Sequence, residues 1–257
     1  QQDVAPYAGV RISPVGFNDA CWKTRFVGIL GERTTERGAD LGSFLRRAGE
    51  LALRNKAVII FAVCVIVFIE LLEEVLEGDL MKLDVLAHAV FVDALRADWL
   101  TPTMESFSAL ATPVSLIVFL VVIAGFAPGR RPGLCCAVNL VLVVVLNQLL
   151  KFLVQRPRPE GIGLVPETGF SFPSGHSMVA MAFFGLLVWL IWHYERDRTM
   201  RIVCCAALSV AIVMVGASRI YLGVHYASDV IGGFCVSLAW LAIYTRVFAP
   251  LLLNERE

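Results

Sequence analysis

The sequence carries no net charge: its 22 basic and 22 acidic residues cancel, and together they make up only 17% of 257 residues. A chain without a field of one sign is not built to hold a nucleic acid or another polyanion along its length. It also lacks a cysteine framework. Six of its seven cysteines, Cys64, Cys135, Cys136, Cys204, Cys205 and Cys235, fall within apolar runs. Only Cys21 sits elsewhere, so neither disulfide nor zinc-ligand spacing is present, and the thiols read as small apolar side chains. The start, Gln1-Gln2-Asp3, has no Met and no basic stretch leading into an apolar one, so no cleavable signal peptide is expected there.

What is abundant is apolar surface. Hydrophobic residues make up 58% of the chain and the mean hydropathy is +0.73, more than the core of a soluble globule requires. A bilayer core of about 30 Å needs roughly 17 to 25 apolar residues in helical form, because no water is present there to satisfy backbone groups. Six stretches approach that length: 57–72, 106–127, 132–150, 177–192, 202–217 and 230–245. The first is the weakest, since Glu70 interrupts it and Glu73 and Glu74 follow. Two further stretches carry apolar residues at helical spacing among charges, as helices lying at the interface do. One is 43–56, with Phe44, Leu45, Ala48, Leu51 and Ala52; the other runs from Leu83 through Leu86, Ala87, Val90 and Ala94 to Trp99. The expected fold is all-α: an integral membrane six-helix bundle with interfacial amphipathic helices. Its parts are a cytoplasmic N-terminal segment over 1–56, the six-span domain over 57–249 and a short tail over 250–257.

Basic residues in short loops set orientation. Lys23, Arg25, Arg33, Arg37, Arg46, Arg47, Arg54 and Lys56 precede the first span, while Arg130 and Arg131, then Arg196, Arg198 and Arg201, fall in later loops of the same side. The N-terminus is therefore expected in the cytoplasm of a multi-pass plasma (inner) membrane protein. Lys151, Arg156, Arg158 and Arg219 do not obey this pattern and need another reason to be where they are.

Those exceptions belong to three clusters. Lys151 leads through six residues to Arg158-Pro159, Pro173-Ser174-Gly175-His176 opens the fourth span, and Ser218-Arg219 leads through five residues to His225 and three more to Asp229. In a six-span chain all three fall on the external face. In this order and spacing they resemble the three-part signature of the type-2 phosphatidic acid phosphatase family, with every part complete across 151–229. The six-span layout extends the resemblance over roughly 57–249 and leaves the first fifty residues outside it.

The residue types suit phosphoryl chemistry. A phosphoryl group in transfer spreads negative charge over its oxygens and is stabilised by fixed cations and donors. Lys151, Arg158 and Arg219 supply cations, Ser174 a hydroxyl, and the Gly175 and His176 amides at a helix start are donors aimed at an anion. His225 and Asp229 stand four apart, so on a helix the carboxylate reaches the imidazole and fixes its tautomer. The resemblance implies that His225 is the nucleophile forming a phosphohistidine and that His176 is the general acid for the leaving oxygen. No acidic cluster for a divalent metal accompanies these groups, so a metal-independent reaction without cofactor is expected, on a lipid phosphate at the external or periplasmic face that the loop charges give the motifs. Phosphatidylglycerophosphate, phosphatidic acid and undecaprenyl pyrophosphate all present the anionic head such a site binds. Arg156 forms a second Arg-Pro pair in a different register and reads as a neighbour of the site or a headgroup contact; His88 and His193 lie outside every motif. A phosphotransferase of the same family is the nearest rival, and a non-catalytic transport or lipid-binding protein a remoter one.

Overall fold

Proline and glycine punctuate long apolar runs and so decide where helices begin and stop. In the computed structural model, which describes residues 56–78, 81–127 and 129–253, every regular element is helical. The expected interfacial helix over 43–56, apart from Lys56, lies outside the described residues, as does the end of the tail. Helix α1 spans Lys56–Glu77; α2 spans Lys82–His88 and runs on as a π-helical turn, Ala89–Ala94; α3 spans Thr101–Ala109 and α4 Pro113–Phe126. The remaining four are α5, Arg131–Val154; α6, Gly175–Tyr194; α7, Arg198–Tyr221; and α8, Ala227–Leu253.

Helices α5 to α8 are each long and apolar enough to cross a membrane. The stretch expected as one span over 106–127 is instead the bent pair α3 and α4, which meet at 54° and together could make a fifth. The reason is Pro113, which lacks an N–H and whose ring clashes with the carbonyl four residues back. Helix α1 has 22 residues, but Glu70, Glu73 and Glu74 crowd its second half and keep it short of an uninterrupted apolar span. The count of six read from the sequence is thus not reached on length and composition. The second interfacial segment is shorter than 83–99: after the π-helical turn the chain is held by Arg96, which donates to the Tyr221 carbonyl at 2.7 Å, and by the Ala97 amide, which donates to the Tyr221 hydroxyl at 2.9 Å.

Helix α6 is the hub. It packs against α5, α7 and α8, α1 lies along α8, and α3 along α7. Cys135, Cys136, Val143, Met178, Ala180, Phe183, Leu186, Val215 and Tyr244 are fully buried between these helices. Close approach depends on small residues: a methyl group at Gly216 would stand 2.5 Å from the Phe234 ring. Buried polar side chains tie helices together across the apolar interior. Asn139 donates to the Ala182 carbonyl at 2.9 Å and accepts from Trp240 at 2.8 Å, and the Tyr244 hydroxyl donates to the Cys135 carbonyl at 2.7 Å. In a bilayer such bonds contribute about 0.6 kcal/mol each. The outward faces of α4, α5 and α7 carry exposed Val114, Ile117, Val121, Val141, Val145, Val210 and Val213, a surface suited to lipid rather than to water.

Candidate active site

One end of the bundle gathers the charged motif residues. Helix α5 stops at Gln155, which adopts φ 54°, and the prolines at 157 and 159 carry the chain away as a loop holding Arg156 and Arg158. Lys151, one turn before the end of α5, donates to the Phe170 carbonyl. The loop returns to α6 at Ser174, whose side chain caps the helix by accepting from the Ser177 amide. Helix α7 ends in Arg219, and a turn brings the chain to His225 and α8. That turn needs a glycine: Gly223 has φ +72°, and a Cβ there would lie 2.4 Å from the Ile162 carbonyl oxygen.

These segments enclose a cavity of about 520 Å³ lined by Lys151, Arg158, Glu167, Gly175, His176 and His225, with Asn147, Gln148 and Phe152 from α5 on its wall. His225 is 3% exposed. Its Nδ1 is 3.3 Å from Asp229 Oδ2 and its Nε2 is 3.2 Å from Arg158 Nη1. Arginine can only donate, so Nε2 accepts and Nδ1 carries the hydrogen, which it gives to Asp229. The ring's lone pair is therefore on Nε2, held by Arg158 on the side that faces the cations. Burial, opposed by the hydrogen bond and charge of Asp229, lowers the His225 pKa to about 4, with Arg158 and Arg219 adding to the fall. Asp229 is fully buried; its Oδ2 also accepts from the Tyr226 amide at 2.9 Å and from the Ser171 hydroxyl.

Arg158 donates to the carbonyls of Thr168, Gly169 and Val224 at 3.0 to 3.1 Å. Arg219 is buried behind the cavity, donating to Ser108 on α3 at 2.6 Å and to Glu167, and its Nε lacks a hydrogen-bond partner among the described residues. Glu167 spans the two arginines, with its second oxygen 3.5 Å from Arg158 Nη2. Burial would raise the Glu167 carboxyl, but the charge and hydrogen bond of Arg219, with His176 and Arg158, hold it below the ordinary carboxylate range. A carboxylate thus sits where the cations converge.

The structure places Lys151, Arg158, Gly175, His176 and His225 on one cavity, with Arg219 and Asp229 buried behind it. Ser174 is fully buried at the start of α6, where its oxygen accepts from the Ser177 hydroxyl at 3.0 Å. Four polar side chains escaped the sequence reading: Asp84, Glu167, Ser171 and Ser228. Asp84 lies between Leu83 and Val85 on the interfacial stretch, and a carboxylate at that place was the only signal available. His88 is half exposed and 3.4 Å from Asp93; His193 lies 2.7 Å from the Trp189 carbonyl, where the far end of α6 meets the surface.

The chain is 35% identical over 148 residues to phosphatidylglycerophosphatase B of Bacillus subtilis (strain 168), an alignment covering 56% of this chain and 73% of that protein. The family model for the PAP2 superfamily matches residues 132–251. The chain belongs to the PAP2 superfamily. The crystal structure of a transmembrane PAP2 type phosphatidylglycerolphosphate phosphatase from Bacillus subtilis superposes with a TM-score of 0.65 at 26% identity, covering 79% of this chain and 99% of that one. A lipid A 1-phosphatase of Rhizobium johnstonii is 33% identical over 113 residues, 40% of this chain and 42% of that protein. Among PAP2 superfamily members this chain is thus a multi-pass membrane protein, and the matched region holds every motif residue from Lys151 to Asp229.

Proposed function

We propose that this protein hydrolyses the phosphate of a membrane lipid through a phosphohistidine on His225. The observation that carries the reading is the imidazole held between Asp229 and Arg158, with its Nε2 lone pair facing a cavity that also contains Lys151 and His176. Nε2 attacks phosphorus as the ester or anhydride P–O bond breaks. His176, protonated beside the substrate's negative charge, gives its proton to the leaving oxygen. Water then loses a proton to His176 and attacks the phosphorus, and the P–N bond breaks, returning His225 to its starting form. Lys151, Arg158 and Arg219 balance the charge on the oxygens, and Asp229 stabilises the imidazole while it is cationic. No divalent metal enters this scheme. The names of the relatives favour a phosphatidylglycerophosphate-like monoester; phosphatidic acid and undecaprenyl pyrophosphate present the same anionic head.

Purified protein in detergent, given these three lipids in the presence of a chelator, should release phosphate from at least one of them, and His225→Ala should release none. Activity in that variant, or activity that disappears on chelation and returns only with added metal, would refute the scheme.

We further propose six crossings, with α1 as the first despite its glutamates, α3 and α4 together as the second, the N-terminus cytoplasmic and the cavity on the external face. Arg130 and Arg131, and Arg196, Arg198 and Arg201, lie in the loops this arrangement keeps inside. In a cysteine-free background, Val165→Cys should react in intact cells with a membrane-impermeant maleimide and Asp197→Cys should be protected. The reverse labelling would turn the site to the cytoplasm.

A further inference from the structure

Arg156 stands two residues before Arg158 in the same loop, yet it faces away from the cavity. Its side chain is 8% exposed and fully engaged: Nη1 donates to Ser228 Oγ at 2.7 Å and Asp229 Oδ1 at 2.6 Å, and Nη2 donates to Asp84 Oδ2 at 3.0 Å. The guanidinium also lies 4.1 Å above the Tyr226 ring, and the Arg156 carbonyl accepts from the Ser171 amide at 2.8 Å. Asp84, whose side chain is 1% exposed, reaches in from α2 and accepts from both the Ser228 amide and the Ser228 hydroxyl at 2.8 Å. The chain of contacts therefore runs Asp84, Arg156, Asp229, His225.

We propose that Asp84 and Arg156 are positioning residues that hold Asp229 in place while leaving its negative charge available to His225. The inference rests on His225 being the nucleophile. Arg156 by itself would orient Asp229 but also neutralise it. A second carboxylate against the same guanidinium leaves one negative charge among these buried side chains. Phosphorylation of Nε2, with Nδ1 still protonated, makes the ring cationic, and one buried negative charge is what balances it. A buried charge without a counter-charge is strongly disfavoured, so the balance favours formation of the intermediate. Asp84 also makes the interfacial segment part of the catalytic apparatus, since it is the contact through which α2 reaches the dyad.

The charge argument makes opposite forecasts for the two residues, which a merely structural role would not. His225 is faced by Asp229 on α8, Arg158 and Glu167 on the loop, Lys151 on α5, His176 on α6 and Arg219 on α7, and it shares a second cavity with Tyr226, with His88 on α2 and with Asp93 on the π-helical turn. None of these changes in the variants. Asp84→Asn takes the negative charge out of the pocket, so the acid limb of kcat/KM should move to lower pH by roughly one unit, with a fall in kcat larger than any change in KM. Arg156→Gln leaves two negative charges, and the limb should move to higher pH. The double variant restores one charge and should bring the limb back, even if its overall rate is lower. Glu105→Gln, exposed on α3, should leave the profile unchanged. Limbs that stay put, or move the same way in both single variants, would overturn the proposal while leaving the nucleophile intact. Activity surviving His225→Ala would remove the nucleophile and this proposal with it.

Discussion

The two sides of His225 are built from the same residue types to opposite effect. Behind the ring, Asp84 and Asp229 enclose Arg156, every side chain is buried and paired, and the excess charge is negative. In front of it Lys151 and Arg158 line a cavity with Arg219 buried behind its wall, Glu167 offsets only part of their charge, and the excess is positive. Burial without a ligand is what separates them. A charge sealed among protein partners orients its neighbour, whereas a charge left facing a cavity is free to exchange its partner for a substrate oxygen. The imidazole stands at the boundary, its Nδ1 turned to the sealed side and its Nε2 to the open one.

That contrast can be broken at several points. The largest effect should come from His176→Ala, which removes the proton donor on the open side: kcat should fall by about 10² to 10⁴ for a lipid alkoxide leaving group. It should fall much less for a substrate with a good leaving group such as p-nitrophenol. Equal losses on both substrates would assign His176 to binding rather than to acid catalysis.

Arg219→Lys preserves charge but not the planar fork that touches Ser108 and Glu167. A lost charge-assisted hydrogen bond of roughly 1.5 to 3 kcal/mol predicts a decrease of about ten- to a hundredfold in kcat/KM. Unchanged efficiency would show that the open side needs positive charge alone.

The pH profile examines the boundary itself. The His225 pKa lies near 4, below the ordinary imidazole value, so the nucleophile stays unprotonated as pH falls through 6.5 and is lost only near 4. The folding consequence has the same sign: between those values the unfolded chain binds the proton that the fold refuses, so stability declines as pH drops through that window. With a substrate whose own ionisation lies lower, a kcat/KM limb near 6.5 would show that His225 is not shielded as described.

The smallest effect belongs to Glu167→Gln. The carboxylate competes with phosphate for Arg158 and Arg219, and partly exposed ion pairs are worth about 0.2 to 1 kcal/mol, so inorganic phosphate should inhibit this variant up to about fivefold more tightly. Weaker inhibition would mean that Glu167 holds the arginines ready for substrate instead of occupying their place.

Much of this was legible in the chain. The spans of α5 to α8 follow from apolar length, and the site from three motifs whose residue types match the charge of a phosphoryl group. The bend within the second apolar stretch is not legible because hydropathy averages over Pro113, whereas a helix is stopped by the one amide that is missing. The sequence shows Ser174 at a helix start, and only the buried geometry shows its oxygen capping α6 by accepting from Ser177.

The sequence by itself determined which segments favour an apolar solvent and which residues can carry phosphoryl chemistry, since hydropathy and side-chain type are local properties. Only the tertiary structure decided that Arg158 faces the cavity while Arg156, with the same side chain, is sealed behind the nucleophile. It also decided that Asp84, from 144 residues away along the chain, meets Ser228 beside Asp229. Charges act through distance and burial, and neither is fixed until the helices have packed.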